Sequence, residues 1–225
     1  MPQDKPMSTR KIAFTSKEYY HIYNRGNSKQ KIFLNKADYQ RFMDLLYAVN
    51  SDKRFNFSDS IKGVSVYERD AEPLLVSIGA YCLMPNHFHI LITPLSDGGV
   101  TKFMQKLSTA YVMYFNEKYK RTGTLFEGKF KAEHLNTDKY LKYIFSYINL
   151  NHLKLFQKDW REVGLNQKQK AVEYLQRNKF SSFNDFLGSK RQENVILTRE
   201  YFPAYFPGKE DFLAEIMTWI NYSNS

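Results

Sequence analysis

The stretch Leu74–Thr93, LLVSIGAYCLMPNHFHILIT, decides how the chain folds. Residues 74–84 are rich in β-branched and aromatic side chains and read as a strand. Pro85-Asn86 breaks the run, and His87–Thr93 resumes it, so the pair predicts a β-hairpin closed by a short turn. This is the longest apolar stretch in the chain, and Pro85, Asn86, His87 and His89 interrupt it, which argues against a membrane span. Side chains alternate along a strand, so His87 and His89 share one face while Phe88 points to the other.

Outward from the hairpin the pattern alternates. Lys17–Arg25 is Tyr- and Ile-rich, ends at Gly26 and reads as a strand. Lys36–Val49 places Tyr39, Phe42, Met43, Leu45, Leu46 and Val49 on a helical stripe capped by Asn35. Ser51–Asp70 is mixed and polar, and predicts a loop with irregular strand. Val100–Tyr119 repeats Phe103, Met104, Leu107, Tyr111 and Tyr114 at threes and fours, and Arg121–Gly123 ends that helix. Phe130–Leu135 reads as a short strand, and Thr137 or Asp138 caps a helix from about Lys139 to Leu153. The expected class is α+β: a ferredoxin-like or RRM-like βαββαβ core on an antiparallel sheet, followed by one more helix and a C-terminal helical appendage. That appendage holds helices at Gln167–Arg177, Ser181–Leu187 and Asp211–Ile220, and the duplication YFPAYFPG, Tyr201–Gly208, is not a helix. The expected organisation is a tail at 1–16, one domain at 17–155 and an extension at 156–225 packed on it.

The chain has 225 residues, 43% of them apolar and 25% charged, which excludes a disordered or fibrous protein. A lone cysteine, Cys82, excludes an internal disulfide framework and fits a reducing compartment. MPQDKPMSTRK at the start has no apolar core for a signal peptide, so a soluble cytoplasmic protein is expected. Two numbers depart from the ordinary: a net charge of +10, and 17 Tyr with 18 Phe. Cations meet phosphates and rings stack on bases, so this combination suits a nucleic-acid partner, although it equally fits a basic protein with an aromatic core. The charge is concentrated, with 10 basic and 4 acidic side chains between residues 99 and 154.

Two constellations carry chemistry. His87 and His89, on one face at a strand start, can hold one metal ion, but two ligands are too few and a third must come from elsewhere. Strand histidines two apart also occur with no ligand at all. In YLKYIFSYINLN, Tyr140–Asn151, the residues Tyr143, Tyr147 and Asn151 fall at i, i+4 and i+8 on one helix face. An Asn amide oxygen can complete a metal site. The same spacing also allows Tyr140, Tyr143, Ile144, Tyr147, Ile148 and Asn151 to be a core stripe with an edge amide.

At these residues the sequence resembles a family. AYCLMPNHFHILITP resembles the histidine–hydrophobic–histidine (HUH) signature of single-tyrosine transposases acting on single-stranded DNA. Four other segments are similar to the same family in the same order: YYHIYNRGNSKQKIF, AYVMYFNEKYKRTGTLFEGKFKA, DKYLKYIFSYINLNHLK and FSSFNDFLG. Together they are most similar to the REP-associated tyrosine transposases, over roughly residues 17–188.

The resemblance implies that residues 17–155 are an HUH catalytic domain, with His87 and His89 as metal ligands and Asn151 completing the site. It implies Tyr147 as nucleophile, ahead of Tyr143 and Tyr140, and Mg²⁺ or Mn²⁺ as the metal. The sequence departs from the family where a proline usually follows the asparagine: His152 stands there, and Lys154-Leu155-Phe156 replaces a basic-Ala-Gly turn. His152 is expected to face away from the site, about 100° round the helix. His21 reads as structural or DNA-adjacent, and His134 as a surface residue. Ser181-Ser182-Phe183 reads as packing or positioning of the helix that carries Tyr147.

The implied activity cleaves and rejoins single-stranded DNA at or near hairpins through a covalent 5′-phosphotyrosine. Lys118, Lys120, Arg121, Lys129 and Lys131 cluster around Gly123 and Gly128 with Phe126 and Phe130 interleaved, and with Arg25 are the expected DNA contacts. Relatives include dimers that donate the tyrosine helix in trans and monomers that use it in cis, so a homodimer is one assembly the resemblance allows. Two rivals make distinct predictions. A binding module without chemistry, gripping RNA or single-stranded DNA on an RRM-like sheet, requires that the His pair and Tyr147 do not converge. A zinc hydrolase requires another His, Cys or carboxylate on the metal.

Overall fold

The computed structural model describes residues 12–53 and 64–222. Of the expected tail, residues 1–11 lie outside the described residues, as do 54–63 of the expected loop with irregular strand. The rest of that loop has no strand, only a short 3₁₀ turn at Val66–Glu68.

The strands are β1 (Tyr20–Arg25), β2 (Val76–Met84), β3 (His87–Pro94) and β4 (Lys131–His134). They form one sheet in the order β2-β3-β1-β4, with every neighbouring pair antiparallel. With α1 (Lys36–Ala48) after β1 and α2 (Gly99–Lys118) after β3, this is the βαββαβ topology of a ferredoxin-like layer. The chain continues through α3 (Asp138–Leu150), α4 (Leu153–Phe156), α5 (Trp160–Val163), α6 (Lys168–Arg177), α7 (Phe183–Phe186) and α8 (Lys209–Tyr222).

Period-2 alternation divides the sheet into two packed faces. Tyr20, Ile22, Phe88, Ile90 and Ile92 pack on Phe42, Leu46, Phe103, Leu107 and Tyr111 of α1 and α2. The opposite face, with Ala80, Cys82, Met84 and Leu91, packs on Leu141, Ile144, Phe145 and Ile148 of α3. The same core takes in Trp160, Leu175, Phe183, Phe212 and Ile216 from the C-terminal elements. The face bearing His87 and His89 is therefore the one that α3 covers.

Local chemistry sets the element ends. Asn35 caps α1 by accepting from the Ala37 N–H at 3.0 Å, and Asp38 closes the reciprocal half of a capping box. Thr137 caps α3 through the Tyr140 N–H at 3.2 Å. Gly26 ends β1 where a Cβ would lie 2.2 Å from the Gln30 carbonyl oxygen, so no side chain fits. A register shift between Ile78 and Ala80 marks a bulge in β2, and a Cβ on Gly79 would meet the Phe202 ring at 2.8 Å.

The outer edge of β2 is covered. The Leu83 N–H donates to the Phe180 carbonyl and the Ser182 N–H to the Tyr81 carbonyl, each at 2.9 Å. Ser182 Oγ also donates to Asn149 Oδ1 of α3 at 2.8 Å, tying that edge to the helix. This fits the positioning role read for Ser181-Ser182-Phe183. The other edge, β4, is short and charged, as solvent-facing edges usually are.

Candidate active site

The hairpin turn is Pro85-Asn86, with Met84 paired to His87. Asn86 Oδ1 lies 2.7 Å from His87 Nδ1, and Asn86 Nδ2 donates to the Lys29 carbonyl at 3.2 Å. The amide is thereby oriented with its oxygen toward the imidazole. Across the β1–β3 ladder, His89 stands opposite Tyr23, and its ring meets that of His21. His87 and His89 have ring centroids 5.0 Å apart.

Burial dominates the electrostatics of the pair. Desolvation, with Lys154, His152 and Arg25 nearby, pushes His87 down to about 4, and pushes buried His89 well below its ordinary value. Both imidazoles are neutral at physiological pH, the form that binds metal ions.

α3 brings Tyr147 onto this pair. Its ring centroid lies 5.5 Å from that of His89, with the planes at 90°, and 5.8 Å from that of His21. The buried stripe of α3 is Leu141, Ile144, Phe145 and Ile148, whereas Tyr140, Tyr143 and Tyr147 are only half-buried. The tyrosines are thus offset from the core stripe, and run as a ladder toward the histidines with successive centroids 6.1 and 5.9 Å apart.

One turn on, Asn151 is fully buried at the end of α3. Its Nδ2 donates to the Tyr147 carbonyl at 3.3 Å, while its Oδ1 is buried without a hydrogen-bond partner among the described residues. An unpartnered buried amide oxygen is costly unless something coordinates it. An amide oxygen and neutral imidazole nitrogens are donor types that suit a divalent cation. Among the described residues, no group of three His, Cys, Asp or Glu side chains is placed to hold a metal, which is what a zinc hydrolase would use.

His152 is buried. Its Nε2 lies 2.9 Å from the Leu83 carbonyl and its ring contacts Cys82, so it anchors the exit of α3 to β2. Asn151 and His152 keep right-handed helical angles, and the chain passes almost directly into α4. His134 pairs with Glu18 near the surface.

Arg25 and Lys131, with Lys29, Tyr23, Asn24, Asn86 and His87, line a cavity of about 310 Å³ beside the His pair. Arg25 is there already paired with Glu127. Lys120 and Lys129 are exposed, and the Arg121 guanidinium lies over the Phe115 ring at 5.4 Å. The Lys118 ammonium pairs with buried Asp38 at 2.6 Å and also meets Tyr114 and Asn35.

Arg161, Lys154 and Glu133 carried no expected role at the site, and His21 was expected only as a structural or DNA-adjacent residue. The Arg161 guanidinium of α5 lies 4.6 Å from the Tyr147 ring centroid, and the Lys154 ammonium 5.7 Å. Glu133 on β4 accepts from Tyr23 and Tyr140 and lies 3.5 Å from His21 Nδ1. His21 itself contacts His89, a placement that only the strand register reveals.

Residues 64–151, the segment holding His87, His89, Tyr147 and Asn151, match the family model described as Transposase IS200 like. No curated protein matches the chain. Among solved structures, the chain is similar to one described as a REP-associated tyrosine transposase bound to a REP hairpin. The TM-score is 0.48 at 12% identity, over 83% of this chain and 90% of that one.

Proposed function

With transposase-like sequence spanning both constellations, we propose that this chain cleaves and rejoins single-stranded DNA through a covalent bond to Tyr147. The observation that carries the reading is the convergence of the Tyr147 ring on His89 within a single chain, at 5.5 Å. A binding module without chemistry has no need of that convergence. It also favours a nucleophile acting in cis.

His87, His89 and Asn151 would hold Mg²⁺ or Mn²⁺, which when bound polarises a non-bridging phosphate oxygen. The Tyr147 phenol attacks phosphorus, its oxygen forms the new ester, and the bond to the 3′-oxygen breaks. The strand is left with a 5′-phosphotyrosine and a free 3′-hydroxyl, and reversing the step rejoins it. An ordinary phenol has a pKa of about 10, so the proton leaves during attack. Arg161 and Lys154 flank the ring, where positive charge faces the phosphate as negative charge builds. Lys29 and Lys131, beside His87, give the strand a cationic approach.

The test is adduct formation on a single-stranded hairpin substrate with Mn²⁺. A slow-migrating protein–DNA band that Tyr147→Phe abolishes supports the reading, and an undiminished band in that variant refutes it.

A further inference from the structure

We propose that Tyr143 and Trp219, with Tyr140, form an aromatic shelf on which bases of a single DNA strand stack beside Tyr147. This rests on the reading of Tyr147 given above, and it gives α8 a part in holding the substrate.

Three rings meet where α8 packs on α3. Tyr143 and Trp219 have centroids 5.2 Å apart with planes at 60°, and Tyr140 lies alongside Tyr143 at 6.1 Å with planes at 15°. With Lys139, Lys142 and Glu215 they line a cavity of about 440 Å³.

Core packing falls to other residues. α3 turns Leu141, Ile144, Phe145 and Ile148 inward, and α8 turns Phe212, Ile216 and Ile220. Tyr140, Tyr143 and Trp219 stand beside those stripes, half-buried, and each contributes to the cavity wall. Every base has a π-face, so such rings accept a strand whatever its sequence.

Two of the rings are pinned in advance. The Trp219 Nε1–H donates to Glu215 Oε1 at 2.8 Å, and the Tyr140 hydroxyl donates to Glu133 Oε2 at 3.0 Å. A ring already held loses little rotamer freedom when a base settles on it.

The charges also suit a strand. Lys142 pairs with Glu215 at 2.9 Å, so the carboxylate in the cavity wall is neutralised from within the protein. Lys139 is exposed in the first turn of α3 and offers a cation to a phosphate.

The shelf is continuous with the proposed nucleophile. The Tyr143 centroid lies 5.9 Å from that of Tyr147, one helical turn on. The cavity that holds Lys29 and Lys131 meets the site at His87 instead. Phosphates thus have a cationic receptor in one cavity, and bases an aromatic one in the other.

The experiment compares two DNA hairpins with single-stranded flanks of equal length. One flank is deoxyadenosine and the other is abasic, so the phosphates stay and the bases go. Binding is followed by fluorescence anisotropy without divalent cations. Of the two tryptophans, Trp160 is buried in the core, so a change in emission reports Trp219. The adenine flank should quench that emission, and the abasic flank should not. Trp219→Ala and Tyr143→Ala should each weaken binding of the adenine flank by about 10-fold, with no matching loss on the abasic flank. Trp219→Phe, which keeps a ring, should recover part of the loss. Equal losses on both flanks, or emission that responds alike to both, overturn the proposal. The emission is read on the unsubstituted chain, so a variant that fails to fold does not decide the outcome. If the Tyr147 adduct forms and Trp219 ignores the bases, this inference fails while the nucleophile stands. If the bases quench Trp219 and no adduct forms, the shelf stands and the nucleophile fails.

Discussion

The Tyr147 ring stands perpendicular to that of His89, the planes at 90° and the centroids 5.5 Å apart, on the sheet face that α3 covers. Of the three tyrosines along α3, Tyr147 is the one whose ring meets those of His89 and His21. Tyr143 and Tyr140 continue the ladder, but Tyr143 meets Trp219 and Tyr140 donates to Glu133. Tyr143→Phe should therefore form the covalent adduct at a rate within about threefold of the unsubstituted chain, while Tyr147→Phe forms none. Peptide mapping of the adduct checks this, and a phosphotyrosine at 143 would reassign the nucleophile.

How much of this was legible in the sequence depends on the range of the interaction. The hairpin, the cap at Asn35 and the periodic helices are local patterns, and they appear within a few residues of expectation. The same-face placement of His87 and His89 follows from strand period alone. The His21–His89 contact needs the β1–β3 register, and Glu133 needs β4 on the far side of β1. Neither pairing has a local signal, because those partners are 68 and 112 residues apart. Arg161 stands on α5, outside the helix that carries Tyr147, so its approach to that ring has no local signal. The Lys118–Asp38 ion pair likewise has no local signal, because a cation in a basic segment shows no sign of the buried carboxylate it meets.

Arg161 gives the next prediction. Its guanidinium lies 4.6 Å from the Tyr147 centroid, and nearby charge stabilises a transition state that gathers negative charge. Arg161→Ala should slow single-turnover adduct formation by about 10²-fold, with hairpin binding changed far less. Arg161→Lys should recover only part of the rate, since an ammonium keeps charge but lacks the planar fork. An unchanged rate in Arg161→Ala would remove the residue from the reaction.

Asp38 supplies a pH dependence of stability. Burial pushes its carboxyl upward, but donors from Lys118, Tyr119 and the backbone of Leu34 and Asn35 more than reverse this, leaving it below its ordinary value. A carboxylate depressed in the folded state stabilises fully above its unfolded pKa of about 3.9, and loses that contribution as pH falls through the folded value. Urea midpoints should hold near neutrality and drop below about pH 4. Asp38→Asn should lower stability at pH 7, because an amide cannot accept at both positions from Lys118, Tyr119 and the Leu34 and Asn35 N–H groups, and should flatten the acid slope. An acid slope unaffected by Asp38→Asn would place the titration elsewhere.

Lys118 and Lys131 then separate structural cations from DNA contacts. Both lie in the basic segment, but Lys118 is committed to Asp38, while Lys131 is exposed beside His87. Each phosphate neutralised on a single strand adds about 0.7 to the slope of log affinity against log salt. Lys131→Ala should weaken binding to a single-stranded hairpin flank at low salt and reduce that slope by about 0.7. Lys118→Ala should lower the unfolding midpoint and leave the slope unchanged, because no counterion is released at a site already neutralised from within. Fluorescence anisotropy between 50 and ~200 mM salt reads both slopes. A slope that falls for Lys118→Ala and holds for Lys131→Ala would reverse the assignment and move the DNA track from the His87 side of the sheet to the α1–α2 side.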